Sequence, residues 1–303
     1  NIRTETGRLS AARPNLQNQP ALEKDRYGIR KAFCSKPGHS LVVCDYGQLE
    51  LRVLAHMTRC ESMLHAFEAG GDFHSRTALG MYPHIQKAVK DGEVLLEWDG
   101  GATGEEPCPV PLIKDQYASE RRRAKILNFS IAYGKTAHGL ASDWGVDVKD
   151  AQETVDLWYS DRKEVRAWQE ETKRLATERG YVTTILGRRR NLPDMRSSDR
   201  SSQSHASRAA INTPIQGSAA DVAMLAMIQI SRCPRLKELG WTLLLQVHDE
   251  VILEGPEESA DVALDLVKGH MERPFQVGDE SMNLLVVDLA VDGNTAKTWY
   301  EAK

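Results

Sequence analysis

The stretch LLLQVHDEVILE (residues 243–254) is two short apolar runs joined at His248 and Asp249. Leu, Val and Ile runs on either side of a polar pair read as the strands of a tight hairpin. The acid at its tip gains meaning from LVVCDYGQLELR (residues 41–52), where another apolar run ends at Asp45. A lone strand-end Asp is ordinarily a turn or cap residue. Two of them, each closing an apolar strand, place hard oxygen donors at the ends of what reads as one small sheet.

Between these strands lies RRRAKILNFSIAYGK (residues 121–135), with helical periodicity over residues 117–133. Arg121, Lys125, Phe129 and Tyr133 recur every fourth residue, and each such step drifts only ~40° on an α-helix, so they form one slowly winding stripe. Two cations followed by two rings suit a polyphosphate with its sugar and base. The alternative is an amphipathic helix with solvated cations and core rings. Arg208, Asn212 and Gln216 form another four-residue stripe. Such donors reach minor-groove acceptors, which A·T and T·A pairs present alike, and so test pair shape without reading sequence.

The 303 residues, 41% hydrophobic and 27% charged, have the composition of an ordinary globular protein. No apolar run reaches the ~20 residues needed to span a bilayer. The chain opens at Asn1 without Met, which reads as a processed protein or a fragment. Its five Cys form no CxxC pair, which suggests neither a zinc site nor a disulfide framework and fits a reducing compartment. Cys44 reads as a small buried thiol. The net charge of −4 argues weakly against a nucleic-acid partner, because binding depends on local patches. Two basic clusters exist, Arg121, Arg122, Arg123 with Lys125, and Arg188, Arg189, Arg190.

Along the chain, residues 1–38 are polar and turn-rich. Helices are expected over 50–57, 61–68 and 74–79, the last capped by Asp72. Residues 91–113 are rich in Gly, Pro and Glu and read as a loop or insertion. Helical pattern returns over 147–179 and 202–230, with Pro214 ending or kinking the latter. A helix over 256–271 and a last strand over 284–291 follow. The class is α+β: a small antiparallel sheet carrying the acids, surrounded by helices. Asp45 and Asp249, with the carbonyl of Tyr46, suit Mg²⁺, which takes one or two carboxylates plus water and phosphates.

TETGRLSAARPNLQNQP (residues 4–20), DYGQLELR (45–52), RRRAKILNFSIAYG (121–134), RAAINTPIQGSAAD (208–221) and QVHDE (246–250) together resemble DNA polymerase family A, in that family's order. The VLLEW insertion and SERRRAKILNFSIAYGKTAHGL look most like plant organellar DNA polymerases. The resemblance implies a right-hand polymerase with a small antiparallel palm sheet and helical fingers, the thumb and exonuclease domain lying outside this chain. Residues 1–60 and 191–303 would form the palm, and 61–190 the fingers, with the insertion at 91–113. The implied reaction adds dNTPs to a primer 3′-hydroxyl by two-metal-ion phosphoryl transfer with release of pyrophosphate, in organellar replication or repair. The implied cofactors are two Mg²⁺, with Mn²⁺ as a substitute.

Residue by residue, the resemblance makes Asp45 and Asp249 the metal-binding acids, with Glu250 in support beside the primer end. Arg121 and His74 would hold the outgoing phosphates, and Lys125 would contact the triphosphate and protonate the leaving pyrophosphate. Phe129 would pack on the sugar, Tyr133 border the base pocket, Gln48 line the nucleotide site, and Glu50 crowd a 2′-hydroxyl. Arg8, Asn15, Gln17, Arg208, Asn212, Gln216 and His248 would touch primer and template. Gly47 departs from the Ser usual in bacterial members, which implies tuning of the pocket; Arg123 replaces a small residue. Further implied partners are an organellar helicase or single-strand-binding protein, with no membrane. The implied location is plastid or mitochondrion, with a transit peptide upstream. Two other readings are a phage-type single-subunit RNA polymerase, which Glu50 opposes, and a catalytically dead accessory subunit, which the retained Asp45, Asp249, Lys125 and Arg121 oppose.

Overall fold

The computed structural model describes residues 2–20, 25–100, 106–277, 280–281 and 284–303. In chain order the elements are β1 (His39–Tyr46), α1 (Leu49–Thr58), α2 (Glu61–Glu68), α3 (Phe73–Met81), α4 (Pro83–Lys90), α5 (Ile113–Gln116), α6 (Ala118–Ala132), α7 (Ala137–Trp144), α8 (Val148–Ser160), α9 (Lys163–Arg179), β2 (Tyr181–Thr183), β3 (Arg189–Asn191), α10 (Arg200–Arg232), α11 (Pro234–Glu238), β4 (Thr242–Val247), β5 (Glu250–Pro256), α12 (Ala260–Glu272), β6 (Gln276–Val277), β7 (Glu280–Ser281) and β8 (Val291–Ala296). They divide between two compact units. The first holds Asn1–Glu50, Thr183–Arg190 and Thr213–Lys303, and the second Leu51–Val182 and Asn191–Asn212.

The first unit is built on an antiparallel sheet of order β4-β5-β1-β8. β1 is central, and its run Leu41 to Cys44 is buried on both faces, which is why that run is continuously apolar. Leu41 and Val43 join Val247, Ile252, Trp299 and Ala302 in one cluster. On the opposite pleat α12 packs against β1 and β8. Gly293 is needed there, since a Cβ at that position would stand 2.7 Å from Cys44 Sγ and 2.9 Å from Leu264 Cδ1. Cys44 is fully buried, and burial pushes its thiol up to about 12, so it is unreactive. All five cysteines are free.

The last strand differs from the expected 284–291. Alternating burial does run through Leu285, Val287, Leu289 and Val291, which is the period the sequence shows. Hydrogen-bonded pairing starts only at Val291, opposite Tyr46, where β1 ends. Upstream of that point β1 offers no further edge, because the chain turns at Gly47, whose N–H bonds Ala290 O at 2.9 Å.

α10 continues through Pro214 as one 33-residue helix, so of the two expected effects the proline does not end it. Proline lacks the N–H that would reach the carbonyl four residues back, and Ser218 Oγ donates to Pro214 O at 2.5 Å. In the first unit Gly217 lets this helix approach closely, since a Cβ there would meet Thr184 Cγ2 at 2.7 Å and Thr6 O at 3.1 Å. Arg188 ties the same place together, donating to Thr6 O at 2.8 Å, Gly217 O at 3.0 Å and Asp221 Oδ1 at 2.8 Å. Arg190 bonds Thr213 Oγ1 at 2.9 Å and pairs with Glu5. The second basic cluster of the sequence is therefore largely a structural clamp.

The second unit is helical. Asp72 caps α3, accepting from His74 N at 3.1 Å, as expected. The helical pattern over 147–179 resolves into α8 and α9, broken at Asp161 and Arg162. Arg162 is 2% exposed, stacks 4.8 Å from the Trp158 ring and bonds Thr77 Oγ1 at 3.3 Å. Within the expected 91–113 loop an isolated bridge joins Leu95 to Leu112, while residues 101–105 lie outside the described residues. Among the described residues no helix is long and apolar enough to cross a membrane.

Candidate active site

The first unit gathers the acids. Asp45 on β1 stands opposite Glu250 on β5, and Asp249 precedes Glu250 in the turn, its carbonyl accepting from Tyr46 N at 3.2 Å. The turn residue His248 has φ 55, the left-handed conformation that tight hairpin turns require. Asp45 and Asp249 are thus neighbours across paired strands, with side chains 45% and 23% exposed. Burial pushes the Asp249 carboxyl up to about 7; Arg8 opposes that rise, while Glu50 and Asp45 add to it. Asp45 is also raised, first by burial, with Lys303 lowering it and Glu250 raising it.

Cations already contact these acids. Arg8 pairs with Glu50 and lies 3.8 Å from Asp249 Oδ1. Glu250, 1% exposed, accepts from Trp299 Nε1 at 2.7 Å and pairs with Lys303, which also stands 3.6 Å from Asp45 Oδ2. Carboxylates raised by burial and by each other fit a divalent cation, and their hard oxygens suit Mg²⁺. Among the described residues no group of three or more His, Cys, Asp or Glu is arranged for a metal ion. Two carboxylates completed by water and phosphate are the coordination Mg²⁺ accepts.

Other expected residues of this unit include Gln48, Asn15, Gln17 and Gln216. Gln48 takes φ 58 after β1, and its buried Oε1 has no hydrogen-bond partner among the described residues. Gln17 Nε2 donates to Gln246 O at 3.0 Å, which seats the N-terminal segment on β4, and its N–H bonds Asn15 Oδ1 at 3.1 Å. Gln216 is half-buried on α10.

The second unit carries the basic and aromatic stripe. Arg121, Lys125 and Phe129 lie on α6, and Tyr133 is its C-cap. α3 packs against α6, so that Arg121 Nε donates to Asp72 Oδ2 at 2.5 Å and Nη2 to Oδ1 at 3.1 Å. Burial raises the Asp72 carboxyl, but the Arg121 and Ser75 hydrogen bonds outweigh it and bring the group down to about 2. His74 is 5% exposed, its ring 5.7 Å from Phe129. Burial lowers its pKa, with Lys125 and Arg121 adding and Asp72 opposing, to about 4. Arg121 and Lys125 thus share this region with an imidazole that is uncharged at neutral pH. Arg208 Nη1 bonds Ser204 Oγ at 2.9 Å, and the buried Oδ1 of Asn212 has no hydrogen-bond partner among the described residues.

Sequence reasoning took Asp72 only as a helix cap and passed over Asn128, Trp158, Trp299 and Lys303. Asn128 was discoverable, since a polar residue beside Phe129 on the stripe helix has to bury its amide somewhere. Lys303 has no sequence pattern that marks it.

The sequence profile described as DNA polymerase family A matches residues 1–93 and 106–301. The chain is 64% identical over 303 residues to "DNA polymerase I A, chloroplastic/mitochondrial" of Arabidopsis thaliana, covering 100% of this chain and 28% of that protein. It is 65% identical to "DNA polymerase I B, chloroplastic/mitochondrial" of the same plant, covering 29% of it. The chain therefore spans under a third of these curated relatives. A solved structure, the POL domain of Pol1 from M. smegmatis in complex with DNA primer-template and dNTP, superposes with TM-score 0.79 at 32% identity. It covers 99% of this chain and 47% of that one.

Proposed function

The chain belongs to DNA polymerase family A, and from that membership we propose that it carries the nucleotidyl-transfer residues of a template-directed DNA polymerase. The substrates would be dNTPs and primer-template DNA, the pair held by the mycobacterial relative. The primer 3′-hydroxyl attacks the α-phosphorus of the dNTP, one P–O bond forms, another breaks, and pyrophosphate leaves.

Asp45 and Asp249, with the Tyr46 carbonyl, would hold two Mg²⁺, or Mn²⁺ in substitution. When bound, such a pair supplies activation of the attacking hydroxyl and charge neutralisation at the leaving oxygen. Glu250, held by Trp299, braces the primer side of this acid pair. Arg121 and His74 bind the outgoing phosphates, and Lys125 binds the triphosphate and donates its proton to pyrophosphate. Phe129 packs on the sugar, Tyr133 borders the base, Gln48 lines the nucleotide site and Glu50 excludes a 2′-hydroxyl. Arg8, Asn15, Gln17, Arg208, Asn212, Gln216 and His248 hold primer and template near their junction. The first unit corresponds to a palm and the second to fingers.

The observation that carries this reading is the pairing of Asp45 with Glu250 across β1 and β5, which makes Asp249 the neighbour of Asp45 with its carboxyl at about 7. The proposed setting is plastid or mitochondrial DNA replication or repair, supported by the names of the plant relatives. An organellar helicase or single-strand-binding protein are the proposed protein partners. Replacing Lys125 by Gln tests the proton-donor role. Single-turnover incorporation should slow by roughly 10²–10⁴, the span general-acid groups supply. A rate within twofold of the parent would remove Lys125 from the chemistry.

A further inference from the structure

We propose that Asn128 is a positioning residue that fixes the tautomer of His74, with Nδ1 unprotonated and the ring proton on Nε2, and that Trp158 anchors Asn128 in turn. The proposal rests on the phosphate-binding role given to His74 above and adds which atom does the binding.

The hydrogen-bond chain can be oriented from its donor-only ends. An indole N–H can only donate, and Trp158 Nε1 lies 2.8 Å from one terminal atom of the Asn128 amide, which must therefore be Oδ1. Turning the amide over would set two donors against each other in a fully buried place, since Asn128 and Trp158 are both 0% exposed. Nδ2 then faces Thr77 Oγ1 at 3.1 Å and His74 Nδ1 at 3.0 Å. Thr77 confirms the direction: its hydroxyl donates to Phe73 O at 2.9 Å, so its oxygen is left to accept from Asn128 and from Arg162, another donor-only group, at 3.3 Å. Asn128 Nδ2 is a donor, so His74 Nδ1 must be an acceptor.

A neutral imidazole carries one proton, which Nδ1 cannot hold here. The charged groups that bear on His74 are Asp72, the N-cap of its own helix, and Lys125 and Arg121 on α6; burial and the two cations outweigh Asp72 and keep the ring neutral at physiological pH. His74 therefore offers an N–H from Nε2 without a charge of its own. A neutral donor suits a group that must release pyrophosphate after each addition, with Arg121 and Lys125 supplying the charge.

Histidine-selective ¹⁵N NMR of the full-length protein at neutral pH reads the tautomer directly, the His74 signals being those lost in His74→Ala. The unprotonated nitrogen should be Nδ1. In Asn128→Asp the carboxylate accepts from Nδ1, so Nδ1 should become protonated. The KM for dNTP should then rise roughly tenfold with kcat changed far less, as loss of a uniform binding hydrogen bond does. Trp158→Phe, a milder change that frees Oδ1 and keeps the amide, should give a mixture of both tautomers. Joining His74→Ala to Asn128→Asp should raise KM no further than His74→Ala alone. A protonated Nδ1 in the parent protein, or a tautomer unmoved in both variants, would overturn the assignment. The expected tautomer together with an unchanged dNTP KM in His74→Ala would instead overturn the phosphate role and leave the tautomer standing.

Discussion

Glu50 is 5% exposed and receives a hydrogen bond from Arg8, so its carboxylate occupies a fixed place instead of sweeping through solvent. A fixed acid is what steric exclusion of a ribose needs. Glu50→Ala is expected to raise incorporation of ribonucleotides by roughly tenfold or more, while DNA synthesis stays measurable. Competing dNTPs against NTPs in single-nucleotide incorporation checks it, and unchanged sugar discrimination would end the gate assignment. Asp72 makes a different kind of prediction, one of stability against pH. Its folded pKa of about 2 lies below the ordinary 3.8, so its contribution is present above about pH 4 and disappears as pH falls towards 2. Asp72→Asn keeps an acceptor for the helix cap but loses the ion pair to Arg121, and should cost about 1 kcal/mol at pH 7. Urea melts should show the gap between the two proteins closing from pH 4 to pH 2; a gap constant over that window would mean the charge contributes nothing.

Elements differ in how much of their position the local sequence contains. The 242–256 hairpin, α2 and the Asp72 cap are written in short-range pattern: apolar runs, a two-residue turn, a carboxylate before a helical period. The start of β8 is not, because it depends on where β1 stops offering hydrogen bonds, a fact about Tyr46 and Gly47 far earlier in the chain. For a related reason Pro214 does not end α10. Its local penalty favours a helix end, and the packing of α10 around Gly217 and Arg188 overrides it. That packing is testable. Gly217→Ala should destabilise by roughly 1–3 kcal/mol, the usual cost of overpacking, because its Cβ would lie 2.7 Å from Thr184 Cγ2. A melting temperature equal to or above the parent's would show that Thr184 and the Thr6 backbone yield easily.

Across the molecule, the residues proposed to carry chemistry stand out in the sequence because they sit in compact motifs whose side-chain types have few other uses together: an acid closing a strand, and cations with rings at four-residue spacing. What holds those residues was not readable. The Arg8–Glu50 pair, the Trp299 bond to Glu250 and the run from Trp158 through Asn128 to His74 all join positions far apart in sequence, and long-range partners leave no periodic trace. The charge balance behaves in the same way. The run at residues 188–190 reads in the sequence as a block of positive charge, whereas Arg188 and Arg190 are taken up by Asp221, Glu5 and backbone carbonyls. The central claim is that Asp45 and Asp249 serve metal-dependent DNA synthesis. It is tested most directly by primer extension with the full-length protein on a primed DNA template in Mg²⁺, supplying dNTPs or NTPs, beside Asp249→Ala. The predicted result is extension with dNTPs alone, abolished in the variant. Extension that survives Asp249→Ala undiminished, or a parent protein that binds the primed template and never extends it, would contradict the claim.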